Sequence, residues 1–277
     1  MSAPDLIASE RNIDLWLAFY DDISDERLHS RLRTLLSEAE RAQEFRFYFA
    51  DDQKRYLITR ALVRTVLSRY SAITPSEWAF STNSFGRPQI DNPQGSAHAL
   101  SFNISHTRGL IALAITRGLE VGVDVENVSA REVSLDIADH YFAPEEVAEL
   151  ARVAPERQQE RFFEYWTFKE SYIKARGMGL SIPLDQFSFH YPHEGAVRLQ
   201  IQPALDDHAD RWRLWQFRPT REHLLALCAE RRGGPAPEVT IRRMTPAFGD
   251  ESIELLPLKN SEALQLARSG SDSIDGR

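Results

Sequence analysis

The stretch FFEYWTFKESYIKARGMGL, residues 162–180, decides how the chain is read. Its aromatic and aliphatic residues recur at helical spacing, and Pro155 upstream suits a first helical turn because proline has no N–H to leave unpaired there. Gly177 is the natural stop, since glycine adopts the left-handed cap at no steric cost, and Arg176 just before it favours the negative end of the helix dipole. A helix is therefore expected over about 155–176. Within it Trp166, Glu170 and Lys174 fall in one i, i+4, i+8 row. Such a row is either an ordinary Glu–Lys pair on a solvated face or one wall of a site.

On either side the periodicity changes. Upstream, IDLWLAFY (13–20) alternates as a strand does. Ser37 with Glu40 three residues later forms a capping box that starts a helix, and a second helix runs through DDQKRYLITRALVRTVLSRY, with Asp51 or Asp52 as its cap. EWAFST, ALSFNIS, LIALAI and LEVGVDVE then read as strands. Downstream, another helix opens at Pro144 before the long one. QFSFHY, VRLQIQ, WRLWQF and HLLALCAE are strands, separated by polar turns. Both halves run helices first and strands after, which predicts an α+β fold. The expected division is 1–118, then 119–230, with 231–277 as an extension in which only VTIRRM has strand character.

The strand VGVDVE places Asp124 and Glu126 on one face and Val121, Val123 and Val125 on the other. Two carboxylates projecting together repel unless a cation lies between them. Magnesium suits such a pair, because it takes hard oxygen ligands and is commonly shared with a substrate phosphate. An exposed strand face of an acidic protein is the plainer reading. Glu170 could complete a magnesium site or accept a proton, and Lys174 could neutralise a phosphate. Asn103, Ser105 and His106 end the strand SFNISH, a frequent place for ligand contacts. Ser105 and His106 are adjacent strand residues that point to opposite faces, so they are not read as nucleophile and base. FGRP, with Gly86, Arg87 and Pro88, suits either a loop that touches an anion or a plain turn. Among the helical arginines 41, 46, 55, 60 and 64, one or two could reach a phosphate.

The chain carries 41 acidic and 33 basic residues, a net charge of −8, which argues against a broad duplex-binding surface and leaves room for an anionic small molecule. Cys228 is the single cysteine, so neither a disulfide framework nor a cysteine zinc site is available. No apolar run reaches the ~20 residues that span a bilayer. The first residues include acids where a secretory signal would be basic, so a cytoplasmic location is expected.

Taken in order, FGRP, FNISH, GVDVE and WTFKESYIKARGMGL resemble the motifs of the phosphopantetheinyl transferases of the Sfp type. The likeness spans roughly residues 13–230. Trp166, Lys169, Glu170, Ser171 and Lys174 meet the family's helix pattern, and Gly122, Val123, Asp124 and Glu126 its Gly-Val-Asp-x-Glu pattern. The resemblance implies two similar α+β halves in a pseudo-two-fold arrangement, with the active site in the cleft between them. It implies transfer of the phosphopantetheine arm of coenzyme A to a serine of an acyl or peptidyl carrier protein, releasing adenosine 3′,5′-bisphosphate. Asp124, Glu126 and Glu170 would hold Mg2+ with the pyrophosphate. Glu170 would take the serine proton and Lys174 would assist the departing phosphate, with Lys169 nearby. Arg55, Gly86, Arg87, Pro88, Asn103, Ser105 and His106, together with Asp124, Lys169 and Lys174, would contact coenzyme A.

Two positions depart from the pattern. Arg87 stands where the family often has lysine, and Glu40 and Gln43 stand where a basic pair often meets the 3′-phosphate. Arg41, Arg46 or Arg55 would substitute there. A monomer is expected, with no nucleic-acid or membrane partner. The same residues leave open a non-catalytic module that binds coenzyme A or a carrier protein, or a magnesium nuclease.

Overall fold

The computed structural model describes residues 6, 12–93, 99–130, 132–133, 136–232 and 237–261. In chain order its main elements are β1 (Asn12–Ala18), α1 (Glu26–Arg33), α2 (Glu38–Glu44), α3 (Ala50–Leu67), β2 (Phe80–Thr82), β3 (Pro88–Ile90), β4 (Leu100–Thr107) and β5 (Leu110–Arg117). These are followed by β6 (Val121–Asn127), α4 (Asp136–Tyr141), α5 (Pro144–Arg152), α6 (Pro155–Arg176), β7 (Phe187–His190), β8 (Arg198–Ile201), β9 (Trp212–Phe217) and β10 (His223–Glu230). The last are β11 (Glu238–Thr245), β12 (Gly249–Ser252) and β13 (Lys259–Asn260). The fold is α+β. It divides into two compact units, Met1–Gly118 with Pro237–Glu254 and Leu119–Ala236 with Leu255–Arg277. Among the described residues no helix is long and apolar enough to cross a membrane.

The first unit is a sheet ordered β12-β11-β1-β5-β4, parallel only between β1 and β11. Helix α3 covers one face. Leu57, Ala61, Leu62 and Val66 pack on Trp16, Ile111, Leu113 and Ile115 in one buried cluster. The capping box at α2 forms as the sequence predicts: Ser37 N donates to Glu40 Oε2 at 2.8 Å and Glu40 N to Ser37 Oγ at 3.2 Å. At α3 the cap differs from expectation. Phe49 occupies the cap without a side-chain bond, and Asp51 and Asp52 lie in the first turn, where their charge favours the positive end of the helix dipole.

The second unit is an antiparallel sheet ordered β13-β9-β10-β6, with a separate β7–β8 hairpin. Helix α6 lies across this sheet. Phe163, Phe168, Tyr172 and Ala175 pack on Trp212, Leu214, Leu224, Ala226 and Cys228. Both predicted ends of the helix are found: Pro155 is in its first turn and Gly177 caps it at φ 66°. Residues after 231, expected as an extension, contribute β11 and β12 to the first unit and β13 to the second.

Candidate active site on β6 and α6

The site begins with a missing side chain. A Cβ on Gly122 would lie 2.0 Å from Ser171 O and 2.3 Å from Ala175 N, both backbone atoms of α6. The strand and helix touch there because glycine leaves the space. Strand alternation then carries Asp124 and Glu126 onto the same face as Gly122. Their antiparallel neighbours agree: Ala226 is opposite Asp124 and Leu224 opposite Glu126, and both belong to the cluster under α6. The three valines are buried on the other face.

One helical turn separates Glu170 from Lys174, and both reach Asp124. Lys174 Nζ donates to Asp124 Oδ1 at 2.7 Å, with the lysine partly exposed and the aspartate buried. Burial, and then the Asp124 charge, push the Glu170 carboxyl above the usual carboxylate range, with Lys174 pulling the other way. A buried and a half-buried carboxylate thus share one ammonium group. A carboxylate raised in this way is a better proton acceptor than a solvated one. Trp166, one turn before Glu170, stacks on Phe162 at 5.9 Å and holds that end of the row.

The donor set suits magnesium chemically: three carboxylates on facing elements, two of them in mutual repulsion, supply hard oxygen ligands. Among the described residues no three His, Cys, Asp or Glu side chains already converge on one point as metal ligands. Asp124 and Glu170 are the pair brought together, and Glu126 stands two residues along the same strand face.

Lys169 requires a correction. Expected near a phosphate, it lies in the interior with no exposed surface. Its ammonium pairs with Glu146 Oε2 at 2.8 Å and donates to Leu184 O at 2.8 Å and Phe187 O at 2.7 Å. All three donors are used, so none is left for a ligand. Burial lowers its pKa and raises that of Glu146, while the ion pair between them opposes both shifts. The reason is helical geometry. Five residues from Lys174 is about 140° around the axis, which turns Lys169 away from the Glu170–Lys174 row and toward α5.

A residue that sequence reading missed is Asp207. Its carboxylate accepts from Tyr172 Oη, Arg176 Nη1 and Trp212 Nε1, each at 2.8 Å. Despite burial, these bonds hold its pKa below the usual range. Asp207 anchors the last turn of α6 onto the start of β9. Local sequence does not mark it, because the three donors that tie α6 to β9 through it are 5 to 35 positions away.

In the first unit, the β2–β3 hairpin turns through Asn83, whose side chain accepts from the amides of Phe85 and Arg87 at 2.9 Å. Gly86 takes φ 86°, and Arg87 and Pro88 follow, half-buried. Phe80 packs edge-on to Phe102 at 5.8 Å, which sets the hairpin beside β4. On β4, Asn103 and Ser105 are buried and share one face, whereas exposed His106 is on the other, beyond Phe102 and Ile104. Glu40 is spent internally: it is buried and pairs with Arg60 and with Arg64 at 2.8 Å. Arg41 donates to Leu36 O, Arg46 to Gln43 at 3.4 Å, and Arg55 to Asp52 at 2.5 Å.

Residues 120–228 match the family model for the 4′-phosphopantetheinyl transferase superfamily, and residues 24–117 the model for the N-terminal part of a 4′-phosphopantetheinyl transferase. The chain is 31% identical over 199 residues to a 4′-phosphopantetheinyl transferase of Bacillus subtilis, covering 72% of this chain and 84% of that protein. With the 4′-phosphopantetheinyl transferase Sfp of Bacillus subtilis strain 168 it shares 35% over 174 residues, 62% of this chain and 74% of Sfp. The chain belongs to the 4′-phosphopantetheinyl transferases of the Sfp type.

A third relative is the transferase HetI of Nostoc, 29% identical over 73% of this chain and 83% of HetI. The β6–α6 site of this phosphopantetheinyl transferase lies wholly within the segment that matches the superfamily model.

Proposed function

We propose that this phosphopantetheinyl transferase moves the phosphopantetheine arm of coenzyme A onto a serine hydroxyl of an acyl or peptidyl carrier protein, with Mg2+ required. The serine oxygen bonds to the phosphorus that carries pantetheine. The bond from that phosphorus to the bridging oxygen breaks, and adenosine 3′,5′-bisphosphate leaves with the electron pair. The observation that carries the reading is the Asp124–Lys174 pair at 2.7 Å, with Glu170 one helical turn before Lys174 on the same row of α6.

Glu170 takes the serine proton, directly or through a water it orients. Lys174 turns part of its charge from Asp124 to the leaving phosphate. Asp124, Glu126 and Glu170 would hold magnesium, which when bound neutralises the pyrophosphate. Arg55, Arg87 with its neighbours Gly86 and Pro88, Asn103, Ser105 and His106 are assigned to coenzyme A. The guanidinium of Arg87 would meet a phosphate through two parallel donors.

The experiment is the intact mass of an apo carrier protein after incubation with enzyme, coenzyme A and Mg2+. A gain of about 340 Da, the mass of one phosphopantetheine, abolished by chelator and restored by Mg2+, is expected. Transfer that persists at full rate in excess chelator would overturn the metal assignment. No gain on any of several carriers, despite coenzyme A binding, would favour a binding module instead.

A further inference from the structure

Residues 255–261 lie past the segments that match the family models and belong to the same unit as α6. They run along the edge of the sheet, with Lys259 opposite Gln216 and Asn260 opposite Trp215 on β9. Leu258 N donates to Gln216 O at 2.7 Å, Ser261 N to Leu214 O at 3.1 Å, and Asn260 N to Gly195 O at 2.9 Å. Val197 N returns a bond to Asn260 O at 3.2 Å. The segment therefore ties β9 to the turn of the β7–β8 hairpin.

Its side chains reach the helix. Lys259 Nζ meets Glu164 Oε1 of α6 at 2.6 Å, with both side chains largely buried. Arg161 Nε is 2.8 Å from the other carboxylate oxygen. Gln216, the strand partner of Lys259, donates through Nε2 to Glu164 O at 3.2 Å and to Thr167 Oγ1 at 3.0 Å. Arg161 and Lys259 both lie over the Tyr191 ring, at 4.7 and 5.1 Å. Charge and amide bonds thus fasten the segment to one turn of α6. Without Lys259 the buried Glu164 would keep only one of its two cations, and the turn around it would shift to find water or another partner. Glu164 precedes Glu170 by six residues, about 9 Å along a helix that rises 1.5 Å per residue. A displacement at Glu164 is therefore passed to Glu170 and Lys174.

We propose that Lys259 is a positioning residue for the transfer. Acting through Glu164, it seats α6 so that Glu170 and Lys174 meet Asp124. The proposal rests on the transferase reading of that site, and its test has one arm that does not use activity.

Full-length Lys259→Met, Lys259→Arg, Glu164→Gln and the double variant Glu164→Gln/Lys259→Met are compared for kcat, for the KM of coenzyme A, and for amide hydrogen exchange in peptides covering 164–176. Lys259→Met should lower kcat about tenfold and leave KM within about twofold, the pattern of a lost alignment rather than of lost substrate binding. Exchange should quicken over 164–176 and nowhere else in the unit, and Lys259→Arg should restore both readouts. In the Glu164→Gln background, Lys259→Met should add nothing further. Wild-type kcat in Lys259→Met, unchanged exchange over 164–176, faster exchange throughout the unit, or losses that multiply in the double variant would each overturn the proposal. If the wild-type enzyme itself transferred nothing, the transferase reading would fall, and the exchange arm alone would decide whether the segment seats α6.

Discussion

Gly122→Ala tests the geometry on which the site is built. Gly122 does not adopt a positive φ, so alanine suits its backbone. In open space the substitution would stabilise the protein by about 0.4–1 kcal/mol through a less flexible unfolded chain. The structure predicts the opposite sign. The new methyl would lie 2.0 Å from Ser171 O and 2.3 Å from Ala175 N, and neither backbone atom can swing aside as a side-chain tip would. Restoring a 3.4 Å contact from 2.0 Å moves α6 away by about 1.4 Å. Overpacking of this kind costs about 1–3 kcal/mol, which at ~2–4 °C per kcal/mol is a drop in Tm of roughly 2–12 °C. The same retreat opens the 2.7 Å contact between Lys174 and Asp124 to about 4 Å. Misplacement of about 1 Å can cost ~100-fold in rate, so transfer should fall by about that factor at temperatures where the variant is still folded. Thermal melting and intact-mass transfer read both effects. A variant that melts at or above the wild-type temperature and transfers normally would refute the claim that α6 rests on β6 at this point.

Glu170→Gln should abolish transfer while leaving the protein at least as stable as wild type at neutral pH, measured by denaturant unfolding. The folded pKa of Glu170 is raised, so its charged form weighs against folding as pH rises, and the advantage of glutamine should shrink toward acid pH. Lys169→Met leaves Glu146 buried without its cation and should cost about 3–5 kcal/mol, seen as a lower urea midpoint. Adding Glu146→Leu should recover much of that loss, and a Lys169→Met variant with native stability but weaker coenzyme A binding would contradict the interior placement. Asp207→Asn should destabilise the protein above pH 4, because the folded pKa of the aspartate is depressed and the stability it contributes is present above its unfolded value of 3.8. That difference should vanish as pH falls through the folded pKa, and a pH-independent gap in unfolding free energy would count against the charge as its source.

The local features were legible along the chain. Pro155 and Gly177 mark the ends of α6 because each acts through its own backbone, and Ser37 with Glu40 starts α2 because their bonds span three residues. The alternation in VGVDVE placed Asp124 and Glu126 on one face, and helical spacing aligned Glu170 with Lys174. These signals depend on neighbours within a turn or a strand step.

What only the tertiary structure decided involves partners far along the chain. Helical period alone separates Lys169 from Lys174, but that the first faces inward follows from Glu146 on α5 and the carbonyls of Leu184 and Phe187. Asp207 has meaning only once β9 lies beside α6. The strand VTIRRM joins the first sheet through β1, which begins more than two hundred residues earlier, with Asn12 paired to Glu238. Lys259 likewise finds Glu164 across 95 positions. Backbone propensities and short-range hydrogen bonds are written in adjacent residues, whereas a buried charge is assigned by whichever group the packed core brings within about 3 Å of it.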